Sequence, residues 1–339
     1  MKKNRHLYTK KEFQTLVIYI VLSATIIVLY GGNTYNADYL GYQRSYYSGE
    51  ISFENGLLKT SICYLFSKLG IPYQAYLFLF SLFSIMMIYK IISHYTNNKA
   101  IVLFLYILYP FFMDIVQIDN FASYIIVLYF VRFLEEDEKK GIIKYLFGVM
   151  IASLIHVSSL IYLVFLFVRV HKWRRFFACI SIITISLYAY SSVLPIIVSY
   201  IPFLNRFSVQ LGYYLKYSSG YYQGMLLYGI LIFFSILIAT VKFLRGEKTN
   251  ENIILYKLLV ISICFIPLIL ISSEFVRYIR NMWILFYIWY LNGKNDRLKW
   301  MYTIFALSLG IFLCYRELGP DSYYYDGVTN AILNNNFFW

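Results

Sequence analysis

Long apolar runs separated by short polar segments follow one another along almost the whole chain. Runs of roughly 17 to 25 apolar residues are long enough to cross a membrane as helices. Predicted spans lie at residues 13–30, 73–92, 100–116, 118–134, 175–191, 224–244, 253–272, 275–291 and 300–315. The pattern predicts an all-α fold, a polytopic membrane helical bundle, in a single membrane domain over residues 1–339.

One more apolar run, residues 142–168, has to be interpreted through the charges around it. Short cytoplasmic loops carry the excess of Lys and Arg. The basic clusters are at residues 2–11, 169–175, 242–248 and 294–299. With the N-terminus inside, four spans precede residue 142 and bring the chain back to the cytoplasm, and the cluster after Val168 is also cytoplasmic. The run therefore crosses an even number of times, which predicts a short hairpin and about eleven membrane segments in all.

The hairpin is predicted to turn at "HVSS", which brings His156 near the outer surface. An ionisable side chain within an apolar segment is by default a functional candidate. Turn backbone inside a membrane is tolerated only where protein or a water-filled cavity covers it, so we expect His156 to face an external cavity. The alternative is a neutral imidazole that forms a hydrogen bond with a neighbouring helix.

Two arginines form a second candidate on the predicted outer side. In "SSEFVRYIRNMW", Arg277 and Arg280 follow Glu274 by three and six residues and share one helix face. A pair of guanidinium groups binds a phosphate or pyrophosphate through two parallel hydrogen bonds while remaining charged. The alternative is an ion pair between Glu274 and one of the arginines.

A polar stripe is predicted within two adjacent spans. The segment "DIVQIDNFASY" places Asp114, Gln117, Asn120 and Tyr124 on one helix face, with Asp119 beside it. Such a stripe is expected to face the interior of the bundle, where it would bind substrate. Its alternative role is hydrogen bonding between helices.

Two long segments are predicted to lie outside the membrane. Residues 31–72 contain an amphipathic stretch near Leu57–Leu69 that is suited to lie at the membrane surface as a helix. Residues 192–223 carry Arg206 and Lys216 among six tyrosines. Tyrosines suit stacking and hydrogen bonding with sugars, but an aromatic belt at the membrane interface gives the same composition.

Composition supports an integral membrane protein, since 60% of residues are hydrophobic and 14% are charged. The mean hydropathy is +0.62. The net charge of +13 does not indicate nucleic acid, because the basic residues lie mostly between apolar runs, where they orient spans and meet anionic lipid. The four cysteines show neither a disulfide framework nor zinc-ligand spacing. We expect no metal and no other cofactor.

The order of these features resembles the EpsG-like, Wzy-type polymerases of exopolysaccharide, capsule and O-antigen repeat units. A D-Y-x-x-Y element corresponds to Asp38 through Tyr42, and an E-x-G element to Glu54-Asn55-Gly56. The histidine in an S-x-x-H-x-S-x-L-I context corresponds to His156, and the late R-Y element to Arg277-Tyr278. Where many members carry Arg-Gln-Phe, this chain has Asp119-Asn120-Phe121.

The resemblance implies an inverting glycosyl transfer at the outer face of a bacterial cytoplasmic membrane. A growing chain would move from undecaprenyl pyrophosphate onto the next lipid-linked repeat unit. His156 is the expected general base, with Asp38 or Glu54 as the alternative base. The expected groups for binding pyrophosphate and sugar are Arg277, Arg280, Arg206, Tyr42, Asp119, Asn120 and Gln117.

Two other classes of protein use a similar external cavity. A flippase or transporter of lipid-linked sugars would need no chemistry, but such proteins more often show internal repeats, and none is found in this sequence. A membrane acyltransferase that modifies the polysaccharide would also use a single histidine. Expected partners are the undecaprenyl-pyrophosphate-linked oligosaccharide, membrane lipids, and the flippase and chain-length regulator of the same pathway, with no nucleic acid.

Overall fold

The computed structural model describes residues 10–53, 55–136, 139–200, 222–292 and 298–338. For residues 10–12 and 190–200 it describes the main chain alone. Within these residues the regular structure is helical, and one isolated β-bridge joins Asn33 to Asn336. The all-α fold is confirmed.

The α-helices vary in length from 4 to 28 residues. They are α1 (Lys10–Gly31), α2 (Tyr39–Ser48), α3 (Leu57–Lys68), α4 (Tyr73–Tyr95), α5 (Lys99–Leu108), α6 (Phe111–Val116), α7 (Ile118–Val131), α8 (Lys139–Ile155), α9 (Trp173–Tyr200), α10 (Tyr222–Arg245), α11 (Asn250–Ile261), α12 (Val276–Leu291), α13 (Lys299–Leu318) and α14 (Ala331–Asn334). Segments of 3₁₀-helix occupy Arg132–Glu135, Val157–Arg169, Ser262–Leu270 and Ser273–Phe275, and a π-helical turn occupies Tyr325–Asn330.

Five of the described helical stretches are long and apolar enough to cross a membrane, by length and composition. They are Phe13–Gly31, Tyr73–Tyr95, Tyr222–Arg245, Asn250–Leu270 and Lys299–Leu318. Two shorter apolar helices, Lys99–Leu108 and Val157–Arg169, correspond to other predicted segments. The chain is a polytopic membrane protein, as predicted.

The described residues divide into two compact units. Unit 1 contains those within Met1–Phe130, Phe147–Leu160 and Leu291–Trp339, and unit 2 those within Val131–Leu146 and Ile161–Tyr290. In unit 1, α1 packs against α4 and α5, and α13 packs against α5. In unit 2, α9 and α10 both pack against Ser262–Leu270. The single membrane domain over residues 1–339 stays a prediction.

The predicted hairpin is confirmed by one long-range hydrogen bond in unit 2. The Tyr145 hydroxyl donates to the main-chain oxygen of Tyr162 at 2.6 Å. In a straight helix, 17 residues would separate these positions by about 25 Å, so the chain reverses between them. Helix α8 forms the first arm, and the second arm is the 3₁₀ segment from Val157 to Arg169.

Several predicted boundaries were wrong. The predicted span 100–116 is broken after α5 because Pro110, whose nitrogen carries no proton, precedes α6. Residues 192–200, predicted as the beginning of an external loop, belong to α9, which continues to Tyr200. Residues 31–72 contain the expected helix near Leu57–Leu69, which is α3, and also α2, which was not predicted.

A C-terminal segment, residues 319–338, packs in unit 1 against the turn between α1 and α2. The Phe337 amide donates to the Gly32 oxygen at 2.7 Å, and the Thr34 amide donates to the Asn335 oxygen at 2.9 Å. The Ala37 amide, next to Asp38, donates to the Gly327 oxygen at 2.9 Å. The C-terminal segment therefore holds the main chain that leads into α2.

Cationic side chains cap helix ends in unit 2. Each donates to main-chain oxygens in the last turn of a helix or directly after it, where carbonyl groups have no partner within the helix. The pairs are Lys242 with Trp289 and Tyr290, Lys257 with Val168 and Val170, and Arg169 with Leu134 and Glu136. Arg169 and Lys242 belong to predicted cytoplasmic clusters, so basic residues there also have a structural role, and Lys257 lies near the beginning of the predicted span 253–272.

Replacing Lys257 by Met is expected to lower the unfolding temperature of the protein in detergent. Lys257 is 3% exposed, and its ammonium lies 3.0 Å and 2.8 Å from the oxygens of Val168 and Val170. Losing it leaves two carbonyl groups unsatisfied, at about 1–3 kcal/mol each. The exposed Lys172 provides the control, since Lys172→Met removes the same charge nearby. Equal unfolding temperatures for the two variants would contradict the capping role.

Cysteine labelling can show which side of the membrane the hairpin turn faces. The four native cysteines are free, so they are first replaced by alanine. A membrane-impermeant maleimide is expected to label Ser158→Cys on intact cells and Glu247→Cys only after permeabilisation. Labelling of Ser158→Cys from the cytoplasm alone would show that the hairpin does not reach the outer face.

Candidate functional site

The D-Y-x-x-Y element lies at the start of helix α2 in unit 1. Asp38 precedes the helix, is exposed, and does not cap it through its side chain. The Tyr39 hydroxyl donates to Gln74 Oε1 at 3.2 Å, and the Tyr46 hydroxyl donates to the main-chain oxygen of Ile71 at 2.7 Å. These bonds fix α2 against the beginning of α4. The carboxylate of Asp38 thus remains at the surface of a firmly held helix.

Helices α2, α3 and α7 meet at a polar cluster formed by Tyr42, Lys59 and Asp119. The Lys59 ammonium lies 2.6 Å from Asp119 Oδ2 and 4.8 Å from the centroid of the Tyr42 ring. The two side chains of the ion pair are 11% and 18% exposed. Asp119 is in the first turn of α7, where the helix dipole favours a carboxylate. The cluster is mostly buried but can still be reached from solvent.

The Tyr42 phenol is held in its neutral form. Its pKa lies well above the usual range because the group is buried and because the carboxylates of Asp119 and Asp38 are near. A neutral phenol in this place donates a hydrogen bond without adding charge. The structure therefore brings three predicted site residues, Asp38, Tyr42 and Asp119, within electrostatic range of one another.

The turn before α3 contacts the tip of the hairpin, also within unit 1. Gly56 has a φ of +87°, and a Cβ added to it would lie 2.0 Å from the main-chain oxygen of Ile155 and 3.2 Å from that of Leu154. Only glycine permits this approach. The E-x-G element and the histidine element of the sequence are therefore in direct main-chain contact. Glu54 itself is outside the described residues.

His156 lies between the two arms of the hairpin and is half-buried. Its amide donates to the Ala152 oxygen at 2.9 Å, and its own oxygen accepts from the Ser159 amide at 3.0 Å. The main chain around the imidazole is thus held by local hydrogen bonds on both sides. His156 therefore directly follows the two residues of the hairpin tip whose oxygens contact Gly56.

The predicted polar stripe is interrupted. Gln117 is between α6 and α7 with non-helical backbone angles, so Asp114 and Asn120 belong to different helices. Asp114 is 3% exposed, and Asp114 Oδ2 accepts from the Tyr106 hydroxyl at 2.9 Å. Gln117 is half-buried, whereas Asn120 is 3% exposed. Asp114, Asn120 and Tyr124 are buried, as expected for side chains that face the bundle interior. They do not share one helix face, because α6 and α7 meet at Gln117, between the predicted spans 100–116 and 118–134.

In unit 2, the arginine pair is at the beginning of α12. Arg277 is half-buried and Arg280 is 2% exposed. Arg277 lies 5.9 Å from the Phe275 ring centroid and 5.6 Å from that of Tyr278, and Tyr278 packs against Tyr162. Within the described residues, Glu274 forms no ion pair with either arginine. The alternative prediction, an ion pair between Glu274 and one of these arginines, was therefore wrong.

The remaining candidate, Arg206, lies outside the described residues. Lys59 was not predicted as a site residue, although it contributes the cation of the unit 1 cluster. The only signal for it in the sequence is its position three residues after Gly56, one helical turn along α3.

A comparison with protein-family models gives the description EpsG family for residues 17–325. The chain belongs to the EpsG family. The match includes each of the site residues considered above. Comparison with curated proteins and with solved structures finds no match.

The EpsG family is associated with polysaccharide polymerisation and with lipid-linked oligosaccharide substrates in general. Membership agrees with the helices of this chain that are long and apolar enough to span a membrane. The resemblance drawn from the D-Y-x-x-Y, E-x-G, histidine and R-Y elements is thus confirmed as to the family.

Proposed function

We propose that this EpsG-family protein polymerises undecaprenyl-pyrophosphate-linked oligosaccharide repeat units at the outer face of a bacterial cytoplasmic membrane, with its N-terminus inside. The observation that carries the proposal is the family match over residues 17–325. The contacts within unit 1 support it. They join α2 and α3, the beginning of α7 and the tip of the hairpin, which the distribution of Lys and Arg predicts to lie on one side of the membrane.

In this proposal the reaction is an inverting glycosyl transfer. A hydroxyl of the acceptor repeat unit attacks the anomeric carbon of the donor, and the bond from that carbon to the pyrophosphate oxygen breaks. The proton of the hydroxyl passes to a general base, for which His156 is the first candidate and Asp38 or Glu54 the alternative. Undecaprenyl pyrophosphate leaves with the bonding electrons.

The substrate-binding groups divide by charge. Arg277 and Arg280 are proposed to bind the leaving pyrophosphate and to stabilise the negative charge that develops on it. Tyr42, Asp119, Asn120 and Gln117, which carry no net positive charge, are proposed to bind sugar. Arg206 is proposed as a further substrate-binding residue. The flippase and the chain-length regulator of the pathway are proposed partners.

The experiment that tests the function is polymer synthesis by the purified protein in lipid vesicles, supplied with purified lipid-linked repeat units. We expect a ladder of polymers and release of undecaprenyl pyrophosphate. Movement of the repeat unit across the vesicle membrane without polymer would indicate a flippase. Acyl transfer to the sugar, with an acyl donor added, would indicate an acyltransferase. Either result in place of the ladder would contradict the proposal.

Replacing Arg277 and Arg280 together by Lys is expected to leave insertion intact and to lower polymer yield by on the order of tenfold, because an ammonium cannot reproduce the guanidinium fork. The yield is measured per amount of protein in the membrane. Arg245→Lys, at an exposed position at the end of α10, is the matched control. Normal polymer length and yield in the double variant would remove the pyrophosphate role from this pair.

A further inference from the structure

Lys59 and Asp119 form an ion pair that is open on one side. Asp119 Oδ2 is bound to the Lys59 ammonium at 2.6 Å, whereas Asp119 Oδ1 accepts no hydrogen bond from the described residues. The Asp119 side chain keeps 18% of its surface exposed. A carboxylate held by a cation on one oxygen and accessible on the other can accept a hydrogen bond from a ligand.

The charges of this cluster select the kind of ligand that fits. Asp119 lies within electrostatic range of the Asp38 carboxylate and is bound to the Lys59 ammonium. The Tyr42 phenol stays neutral. A phosphate or pyrophosphate at the open oxygen of Asp119 would meet a carboxylate of the same sign, whereas a neutral sugar hydroxyl meets an acceptor in Asp119 and a donor in Tyr42.

The position of Lys59 connects the pair to the hairpin. Lys59 is three residues after Gly56, and the Gly56 main chain contacts the oxygens of Leu154 and Ile155 immediately before His156. The first turn of α3 thus extends from the hairpin tip to the ion pair. A hydroxyl bound at Asp119 would therefore lie about one helical turn of α3 from the hairpin tip that carries the predicted base.

We propose that the Lys59–Asp119 pair is the subsite for a hydroxyl of the acceptor sugar, distinct from the pyrophosphate-binding arginines. Asp119 Oδ1 accepts the hydrogen bond from the sugar. Lys59 does not touch the sugar; it is a positioning residue that compensates the carboxylate charge and orients it. The inference rests on the proposed polymerase function, which supplies the acceptor.

Binding of two probes to the purified full-length protein in lipid nanodiscs tests this subsite. One probe is the free oligosaccharide released from the lipid-linked repeat unit by mild acid, and the other is inorganic pyrophosphate. The variants are Lys59→Met, Asp119→Leu and the double substitution. Lys68→Met, an exposed lysine on the same helix, is the control.

We expect each single variant to weaken oligosaccharide binding about 10- to 100-fold, the effect of losing a hydrogen bond to a charged group. Pyrophosphate binding is expected to stay at the parental value. The double variant removes both charges, so no buried charge is left without compensation and the protein should accumulate normally. Its oligosaccharide binding should nevertheless stay weak, which a purely structural ion pair does not predict.

Three results of the binding experiment would overturn the subsite: no oligosaccharide binding by the parent, parental binding by the double variant, or loss of pyrophosphate binding in Lys59→Met. The last would make Lys59 an anion-binding residue. Polymer synthesis separates this inference from the proposed function. Oligosaccharide binding that depends on the pair, without polymer from the parent, would support the subsite and overturn the polymerase. Normal polymer from the double variant would support the polymerase function and overturn the subsite.

Discussion

Replacing His156 by Gln is expected to reduce polymer synthesis by about 10²- to 10⁴-fold, the usual contribution of a general base. Glutamine has a similar size and polarity, so the hairpin should insert and the protein should accumulate as in the parent. The main-chain bonds that hold this position, from Ser159 to His156 and from His156 to Ala152, do not depend on the imidazole. The measurement is polymer formation from purified lipid-linked repeat units at equal protein levels in the membrane.

The control for this prediction is His171→Gln, at an exposed position outside the hairpin, which should keep parental activity. If the His156→Gln variant stays close to parental activity, the base is Asp38 or Glu54, since glutamine would then satisfy the same hydrogen bond as a structural histidine. If activity falls together with accumulation, His156 has a structural role.

Replacing Gly56 by Ala is expected to reduce polymer synthesis by about 10²-fold, the cost of moving reacting groups by about 1 Å. The new methyl group would lie 2.0 Å from the Ile155 oxygen, so either α3 or the hairpin tip has to move. The positive φ of Gly56 adds strain of about 1–3 kcal/mol for any residue with a Cβ. Activity per inserted protein is the quantity to measure, together with the unfolding temperature.

A substitution at Gly70 separates the effect of backbone strain from the effect of the contact with the hairpin tip. It also has a positive φ, +72°, but no atom lies within 4 Å of an added Cβ. Gly70→Ala should therefore show the backbone strain alone and retain most activity. Equal activity for the Gly56 and Gly70 variants would mean that the contact between α3 and the hairpin tip is not needed for function.

The hairpin could be predicted because it depends on counting charges. The basic residues on both sides of residues 142–168 require an even number of crossings whatever the packing, and the Tyr145–Tyr162 bond agrees with this. Helix α3 could be predicted for a related reason, since its apolar and polar residues follow helical spacing. Both features are determined by the interaction of a short segment with water or lipid.

Other features depend on contacts that a local pattern does not contain. Helix α2 has the sequence "YLGYQRSYYS", without an apolar stripe, and it is stabilised by bonds to Gln74 and Ile71. Lys59 is one of 30 basic residues, and its partner Asp119 lies 60 residues further along the chain. Such pairs are specified by tertiary packing alone.

The contact between the C-terminal segment and the turn before α2 has a consequence for biosynthesis. Thr34 and its partner Asn335 are separated by 301 residues, so the ribosome has to synthesise all the spans between them before these two residues can meet. The turn that leads into Asp38 is therefore completed only after translation has passed Asn335. A nascent chain that has not reached this residue lacks the bonds that hold the start of α2.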